Sequence, residues 1–336
     1  MALTIGLREQ AVVFRELATL IGAGITLVQA LSDLQQRPSS KACLHFLRSA
    51  QRRIGSGDSF SSVMNGFPGT FSELTVALVS AGEESGKLDD MLRDVAEYLE
   101  RELALRQMIA QETFYAKILI GACIVIPLAA QSIIAFITQG SEEGLKVAAQ
   151  GLLSYLLLIG IPAALLYAVY RRISSSATGR RGIDALKLRV PLLGGVVRGL
   201  ALAKFARAFA VLFDAGVQFQ RTIRLAAGTM GNSYLTEMVA AAVPRVEQGG
   251  RLSEVLMQTR LSNELLVRLL QTGEQTGNVD EMMHKAAEYY EGETQSRIKK
   301  LSVTIVPVTV VIMGIVVALM VIRFYVGQYS ELLNSN

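Results

Sequence analysis

Three long runs without a charged residue constrain this chain of 336 residues more than any other feature of its sequence. The runs are residues 118–137, 152–170 and 301–322. Each has about the 20 residues that a helix needs to cross roughly 30 Å of hydrocarbon. Only 18% of all residues are charged, against about 25% in ordinary soluble domains. The sequence therefore predicts a membrane protein that crosses the bilayer three times.

Basic residues flank these runs unevenly. Four arginines lie in residues 171–181, directly after the second run, and Arg297, Lys299 and Lys300 precede the third run. The loop between the first two runs has one lysine and two glutamates. Cytoplasmic loops carry the excess of lysine and arginine. We therefore expect the N-terminus and residues 171–300 to be cytoplasmic, and the loop and the C-terminus to lie on the outer side of the membrane.

An internal repeat relates the two halves of the chain. Residues 73–102 align without gaps on residues 264–293, with 14 of 30 positions identical, where composition alone would give roughly two. An earlier stretch, 14–27, matches 206–219 in the same way. Apolar residues recur at helical spacing in both copies. Two copies of one fold should lie on the same side of the membrane, and two crossings between them meet that condition.

These observations predict an all-α membrane protein with two homologous cytoplasmic helical-bundle domains and three transmembrane helices. The predicted segments are a first helical domain (1–114), a first span (115–137), a short periplasmic loop (138–151), a second span (152–170), a second helical domain (171–298), a third span (301–326) and a periplasmic tail (327–336).

Six glycines are predicted to form turns between the helices of the two copies, because glycine adopts positive φ without strain. They are Gly24, Gly82, Gly86, Gly216, Gly273 and Gly277. We expect Gly82 and Gly273 to have positive φ in the same tight turn. The stretch from Gly82 to Lys87 resembles a phosphate-binding loop only superficially. It has three residues rather than four between its glycines, and no Ser or Thr follows the lysine.

No catalytic, cofactor or metal site is predicted. The two histidines, His45 and His284, are interpreted as ordinary residues of helix surfaces, since a zinc site needs three or four converging ligands. The two cysteines, Cys43 and Cys123, are too few for a disulfide framework and are expected to be unpaired thiols. The interiors of the three runs contain no Asp, Glu, Lys or Arg, which weighs against an ion-coupled transporter.

The polar segments differ in charge. Residues 1–114 contain 11 Lys and Arg against 14 Asp and Glu, a net charge of −3, whereas residues 171–300 contain 19 against 12, a net charge of +7. Charged surfaces of opposite sign favour one orientation of a large partner. The candidate partner contacts are Glu83, Glu274, Arg221 and Arg224. The two glutamates could bind a metal or an arginine of a partner, but a solvated carboxylate or one that caps a helix is the simpler interpretation.

Matching local patterns in the two copies resemble the secretion-system F family. They are Phe14 with Leu17, Leu20 and Ala23-Gly24; Gly82-Glu83-x-x-Gly86 followed by Leu88; Tyr98; and the corresponding Ala215-Gly216, Gly273-Glu274-x-x-Gly277 and Tyr289. The resemblance covers about residues 10–326. Members often have proline after the tyrosine that precedes the first span and glutamate before the proline of the third, where this chain has Ala116 and Val306. Those departures suggest a divergent branch, such as one of type IVb pilus assembly.

The resemblance implies an inner-membrane platform of a type IV pilus or type II secretion machine that is not itself an enzyme. It implies binding to a cytoplasmic hexameric assembly ATPase, to pilin or pseudopilin subunits and to other inner-membrane assembly proteins. It also implies a homo-oligomer, no cofactor and no binding of nucleic acid. The alternative is a small polytopic helical channel or transporter subunit, which an intramembrane charge or a polar stripe would favour.

Overall fold

The fold is all-α wherever the computed structural model describes the chain. The described residues are 4–139, 160–191, 193–258 and 264–334, with residues 146, 149, 150, 153 and 157 between them. They form helices and turns, and no strand occurs among them. The predicted all-α class is confirmed.

The first copy of the repeat contains five short helices and the beginning of a long one. They are α1 (Leu7–Gly22), α2 (Leu27–Leu34), α3 (Lys41–Gly55), α4 (Phe60–Asn65), α5 (Glu73–Ser85) and α6 (Leu88–Gln139). Hydroxyl groups cap the N-termini of α2, α3, α4 and α5, each accepting a hydrogen bond from the backbone N–H three residues later. The hydroxyls belong to Thr26, Ser40, Ser59 and Ser72. Each cap stabilises its helix by about 0.5–2 kcal/mol.

The second half of the chain repeats this order. Its helices are α7 (Ile161–Ser174), α8 (Ala177–Arg189), α9 (Leu193–Asp214), α10 (Phe219–Gly228), α11 (Ser233–Ala240), α12 (Val243–Glu247), α13 (Leu252–Met257), α14 (Glu264–Thr276) and α15 (Val279–Asn334). Helices α11 and α12 together take the place of α3. Pro244 lies in the first turn of α12, where its missing N–H costs no hydrogen bond, whereas at the corresponding interior position of one continuous helix it would remove a backbone hydrogen bond. The second copy therefore has two short helices where the first has one.

Aromatic side chains form the core of each copy. In the first copy Phe14, Phe46 and Phe60 are at most 1% exposed. The ring centroid of Phe60 lies 6.4 Å from that of Phe14 and 6.2 Å from that of Phe46. In the second, Phe205 and Phe209 are fully buried, with ring centroids 5.9 Å apart. Burial of one such side chain contributes about 1.5–3 kcal/mol.

The two copies pack into one compact unit, made of the described residues of 1–107 and 184–295. Helix α5 of the first copy contacts α9 and α10 of the second, and buried side chains of both copies belong to one apolar cluster. Two separate domains at 1–114 and 171–298 are therefore not confirmed, and those boundaries remain predictions.

A second unit consists of the described residues of 108–183 and 296–334. Across the described residues, no helix is both long enough and apolar enough to span a bilayer. Most of the predicted loop 138–151, most of the first half of the second span and the last two residues of the tail lie outside the described residues.

The glycines of the predicted turns fall into two groups. Gly24, Gly86, Gly216 and Gly277 have φ of 86°, 72°, 75° and 80°, and each follows the end of a helix. The prediction of positive φ at Gly82 and Gly273 was wrong, because these two residues lie inside α5 and α14.

Close packing explains Gly82 and Gly273 instead. A Cβ atom at Gly82 would lie 2.8 Å from Cβ of Met91 on α6, and one at Gly273 would lie 2.8 Å from Cα of Val279 on α15. The next helix folds back so tightly that no side chain fits between. The sequence correctly singled out both positions, although the reason is a contact rather than a backbone angle.

Gly273→Ala should therefore destabilise the protein. The added methyl group collides with the backbone of α15, and overpacking of this kind costs about 1–3 kcal/mol. Gly292→Ala is the matched control, since Gly292 also lies inside a helix but has no atom near its missing Cβ. Alanine there should stabilise the helix by about 0.5–1 kcal/mol. Thermal melting of the full chain, followed by far-UV circular dichroism because the chain has no tryptophan, should separate the two variants. Equal melting temperatures would contradict the close contact at Gly273.

Candidate interaction surfaces

Glu83 and Glu274 each cap the N-terminus of a short helix in their own copy. Glu83 accepts hydrogen bonds from the backbone N–H groups of Phe60 and Ser61 and from the Ser61 hydroxyl at the start of α4. Glu274 accepts from the backbone N–H of Ser253 at 3.3 Å and from the hydroxyl of the same residue at the start of α13. A carboxylate at a helix N-terminus satisfies free N–H groups and complements the helix dipole. Both side chains are thus engaged within the fold.

The stretch from Gly82 to Lys87 ends a helix and forms no open loop. Residues 82–85 are the last turn of α5, and the backbone N–H of Lys87 donates to the carbonyl oxygen of Gly82 at 3.0 Å. In the second copy the backbone N–H of Gly277 donates to the carbonyl oxygen of Gly273 at 2.8 Å. These bonds occupy the backbone groups that a phosphate cradle would have to present.

Arg221 and Arg224 are both exposed on α10. Nη2 of Arg224 lies 2.7 Å from Oε1 of Glu247 on α12, and the two side chains are 62% and 46% exposed. A pair this exposed contributes about 0–1 kcal/mol, so a partner can displace it at little cost. Of the four candidate contacts, these two arginines are the ones whose charged groups face solvent.

Each copy also contains an arginine–glutamate pair that the sequence analysis missed. Arg15 donates from Nε and Nη2 to the two carboxylate oxygens of Glu100 at 3.0 and 2.6 Å. Arg207 makes the equivalent bidentate contact with Glu291 at 3.1–3.2 Å. Hydrogen bonds from Arg15 lower the pKa of Glu100. The sequence contained a signal for these pairs, because Arg15 corresponds to Arg207 and Glu100 to Glu291 in the internal repeat.

His284 is half-buried rather than an ordinary surface residue. Its Nδ1 lies 3.3 Å from Nη1 of Arg207, whose side chain is only 5% exposed. Burial and the positive charge of Arg207 lower the pKa of His284, so the ring stays neutral at physiological pH. His45 is exposed on α3. No group of three His, Cys, Asp or Glu side chains among the described residues is arranged to hold a metal ion.

A cleft of about 750 Å³ lies between the two copies within their common unit. In its wall, Glu102 of α6 accepts hydrogen bonds from Nζ of Lys204 at 2.7 Å and from Nε of Arg106 at 2.9 Å. The Glu102 and Lys204 side chains are 10% and 20% exposed. This partly buried ion pair joins α6 of the first copy to α9 of the second. Removal of Glu102 would leave the partly buried charge of Lys204 without its counterion.

Asp94 of α6 carries a charge that opposes folding. Partial burial raises its pKa to about 6 from an ordinary value of 3.8, and the negative charges of Asp214, Glu97 and Asp90 add to the shift, while Arg93 reduces it. Asp214 is the last residue of α9, so this repulsion acts between the two copies.

The sequence matches one protein family twice. The model of type II secretion system protein F matches residues 13–135 and again residues 205–327, which differ by the offset of the internal repeat. The chain is 34% identical to the type IV pilus assembly protein PilC of Thermus thermophilus, over 97% of this chain and 83% of the relative. It is 31% identical to the type II secretion system protein F of Xanthomonas campestris pv. campestris, over 94% and 81%. For PilC of Pseudomonas aeruginosa the identity is 25%, over 94% and 88%.

Replacement of Asp94 should raise stability in neutral solution but not in acid. A carboxyl group whose pKa is raised in the folded state contributes its full stability below pH 3.8 and loses it as the pH rises through about 6. Asp94→Asn removes that loss, so the melting temperature should rise by a few degrees at neutral pH and hardly change near pH 4. Asp58→Asn is the control, because Asp58 is exposed, forms an ion pair with Arg53 at 2.6 Å and is not among the charges that raise the pKa of Asp94. Equal melting of Asp94→Asn and the unmodified protein at neutral pH would contradict the repulsion.

Proposed function

The chain belongs to the family of type II secretion system protein F, and we propose that it is the inner-membrane platform of a type IV pilus or type II secretion machine. In this role it couples a cytoplasmic hexameric assembly ATPase to the extraction of pilin or pseudopilin subunits from the bilayer. The observation that carries the proposal is similarity over nearly the whole chain to relatives named for both machines.

The proposed topology has three membrane spans, with both copies of the repeat in the cytoplasm. Its support comes from the three uncharged runs, from the basic residues that flank them and from the packing of both copies into one unit. Segments that share a core lie on one side of a membrane, so an even number of crossings must separate them. The first two runs supply that number.

Continuous helices support a mechanical role. Helix α6 extends from Leu88 to Gln139, and α15 from Val279 to Asn334. Each helix contains core residues of its copy and the uncharged run that follows. We propose that the uncharged runs of these two helices lie beside the pilins, so that an ATPase that rotates or displaces the copies acts on the pilins through the same helices.

The ATPase contacts are assigned to Arg221 and Arg224 rather than to the two glutamates. The arginines present exposed charge on α10, whereas Glu83 and Glu274 are engaged in capping α4 and α13. The glutamates would act on a partner only indirectly, by fixing the positions of those helices. A partner recruited in this way supplies the nucleotide chemistry, and we propose that this chain has no catalytic activity of its own.

Charge reversal on α10 should weaken recruitment of the cognate ATPase. Arg221→Glu/Arg224→Glu replaces two attractions with two repulsions, so the Kd for the ATPase should rise several-fold and fibre output should fall with it. Arg268→Glu/Lys285→Glu is the matched control, with the same change of net charge on exposed residues of α14 and α15. Pull-down of the ATPase by the purified full chain, repeated at low and high salt, measures the difference.

Two outcomes would contradict this assignment. Equal weakening by both double variants would mean that the ATPase responds to net charge and not to α10. ATP hydrolysis by the purified chain that is lost in Lys87→Ala would mean that the chain is an enzyme after all.

A further inference from the structure

Helix α3 of the first copy carries a stripe of basic residues along one exposed face. Lys41, His45, Arg48 and Arg52 are all exposed and follow one another at spacings of four, three and four residues. That spacing places them on one side of a helix, over about 16 Å of its length. Within the described part of the chain none of the four forms an ion pair with an acidic residue, and α3 itself contains no Asp or Glu.

A shallow groove of about 590 Å³ follows this basic stripe. The four basic residues line it together with Gln35, Leu44 and Gln51. Nε2 of Gln35 donates to Oε1 of Gln51 at 2.7 Å, and this bond fixes the end of α2 beside α3. The groove thus combines three cationic side chains and an imidazole with polar amides, and no acidic side chain is among the residues that line it.

The second copy shows that the fold does not require these charges. At the repeat offset of 192, the positions of Lys41, His45, Arg48 and Arg52 are occupied by Ser233, Glu237, Ala240 and Pro244. The buried side of α3 is apolar, with Cys43, Phe46 and Leu47 at most 1% exposed, and that side holds the helix in place. Since the helices of the second copy form without the stripe, the stripe needs an explanation outside the fold.

We infer that the basic stripe of α3 is a docking surface for an acidic helix of a protein partner. A helix with carboxylates at the same spacing of four, three and four residues would present one acid to each base along the groove. The inference goes beyond the proposed function, because α3 lies in the copy whose net charge is −3 and not on the basic second copy that carries Arg221 and Arg224.

Two other classes of partner fit the groove less well. A nucleotide base would need a free aromatic ring to stack on, whereas the one aromatic ring among the lining side chains, that of His45, already packs against Phe67 with ring centroids 5.8 Å apart. A helix that lies in a membrane interface inserts its apolar face, but the apolar face of α3 is buried in the core of its own copy. The charges are also arranged in a line, which matches another helix better than a two-dimensional lipid surface.

A designed peptide provides the test, with the full chain held in nanodiscs of zwitterionic lipid. The probe is a labelled helical peptide with glutamates at positions 1, 5, 8 and 12, and its binding is measured by fluorescence anisotropy. The unmodified chain should bind it, and the affinity should fall steeply as salt is added. Arg48→Ala/Arg52→Ala should raise the Kd roughly tenfold, as expected for the loss of two exposed ion pairs.

The control and the reversal make the result specific. Arg93→Ala/Lys285→Ala removes the same charge from exposed residues of α6 and α15 and should leave the Kd within about twofold. Arg48→Glu/Arg52→Glu should abolish binding of the acidic peptide and create binding of a peptide with lysines in the same places. Arg48→Ala alone introduces the residue that the second copy has at this position. Weaker peptide binding by this variant, with an unchanged far-UV circular dichroism spectrum, separates loss of docking from misfolding.

Three results would overturn the inference. The first is equal binding of the acidic peptide by the unmodified chain and by Arg48→Ala/Arg52→Ala. The second is equal weakening by the control pair. The third is binding to phosphatidylglycerol vesicles that requires Arg48 and Arg52 while binding of the peptide does not, which would assign the stripe to lipid. None of these results depends on the ATPase, so they leave the proposed function to its own test.

Discussion

The packing of the two copies against each other is the constraint on which the rest of this structure depends. Helix α5 contacts α9 and α10, and Glu102 meets Lys204 across the same boundary at 2.7 Å in a largely buried position. Segments far apart in the chain thus share one apolar core. In the proposed topology they therefore lie on one side of the membrane, where a force applied to one copy would act on the other.

Electrostatic contacts within each copy repeat more faithfully than the surfaces do. The carboxylates of Glu83 and Glu274 cap α4 and α13, and a buried or half-exposed arginine in each copy binds a glutamate of the following long helix. The outer faces have diverged, since α3 is basic where its counterparts α11 and α12 are not. We interpret this contrast as one scaffold used twice, with a different partner surface on each copy.

The sequence predicted the helical class, the repeat and the positions of the close turns, because apolar spacing and paired glycines encode them locally. It did not predict why Gly82 is a glycine, since the contact with Met91 forms only when α6 folds back on α5. The partial burial of His284 also depends on a partner distant in sequence, Arg207. The net charge of −3 over residues 1–114 also gave no indication of the basic face of α3, because acidic residues elsewhere in the segment outnumber its bases.

We propose that both copies lie together in the cytoplasm as one unit of a membrane platform. Alkaline phosphatase, which is active only in the periplasm, tests it most directly when fused after residues 145, 230 and 330 of the chain. The account predicts active fusions after 145 and 330 and an inactive fusion after 230, within the second copy. An active fusion after 230 would place the second copy outside the cytoplasm and contradict the account.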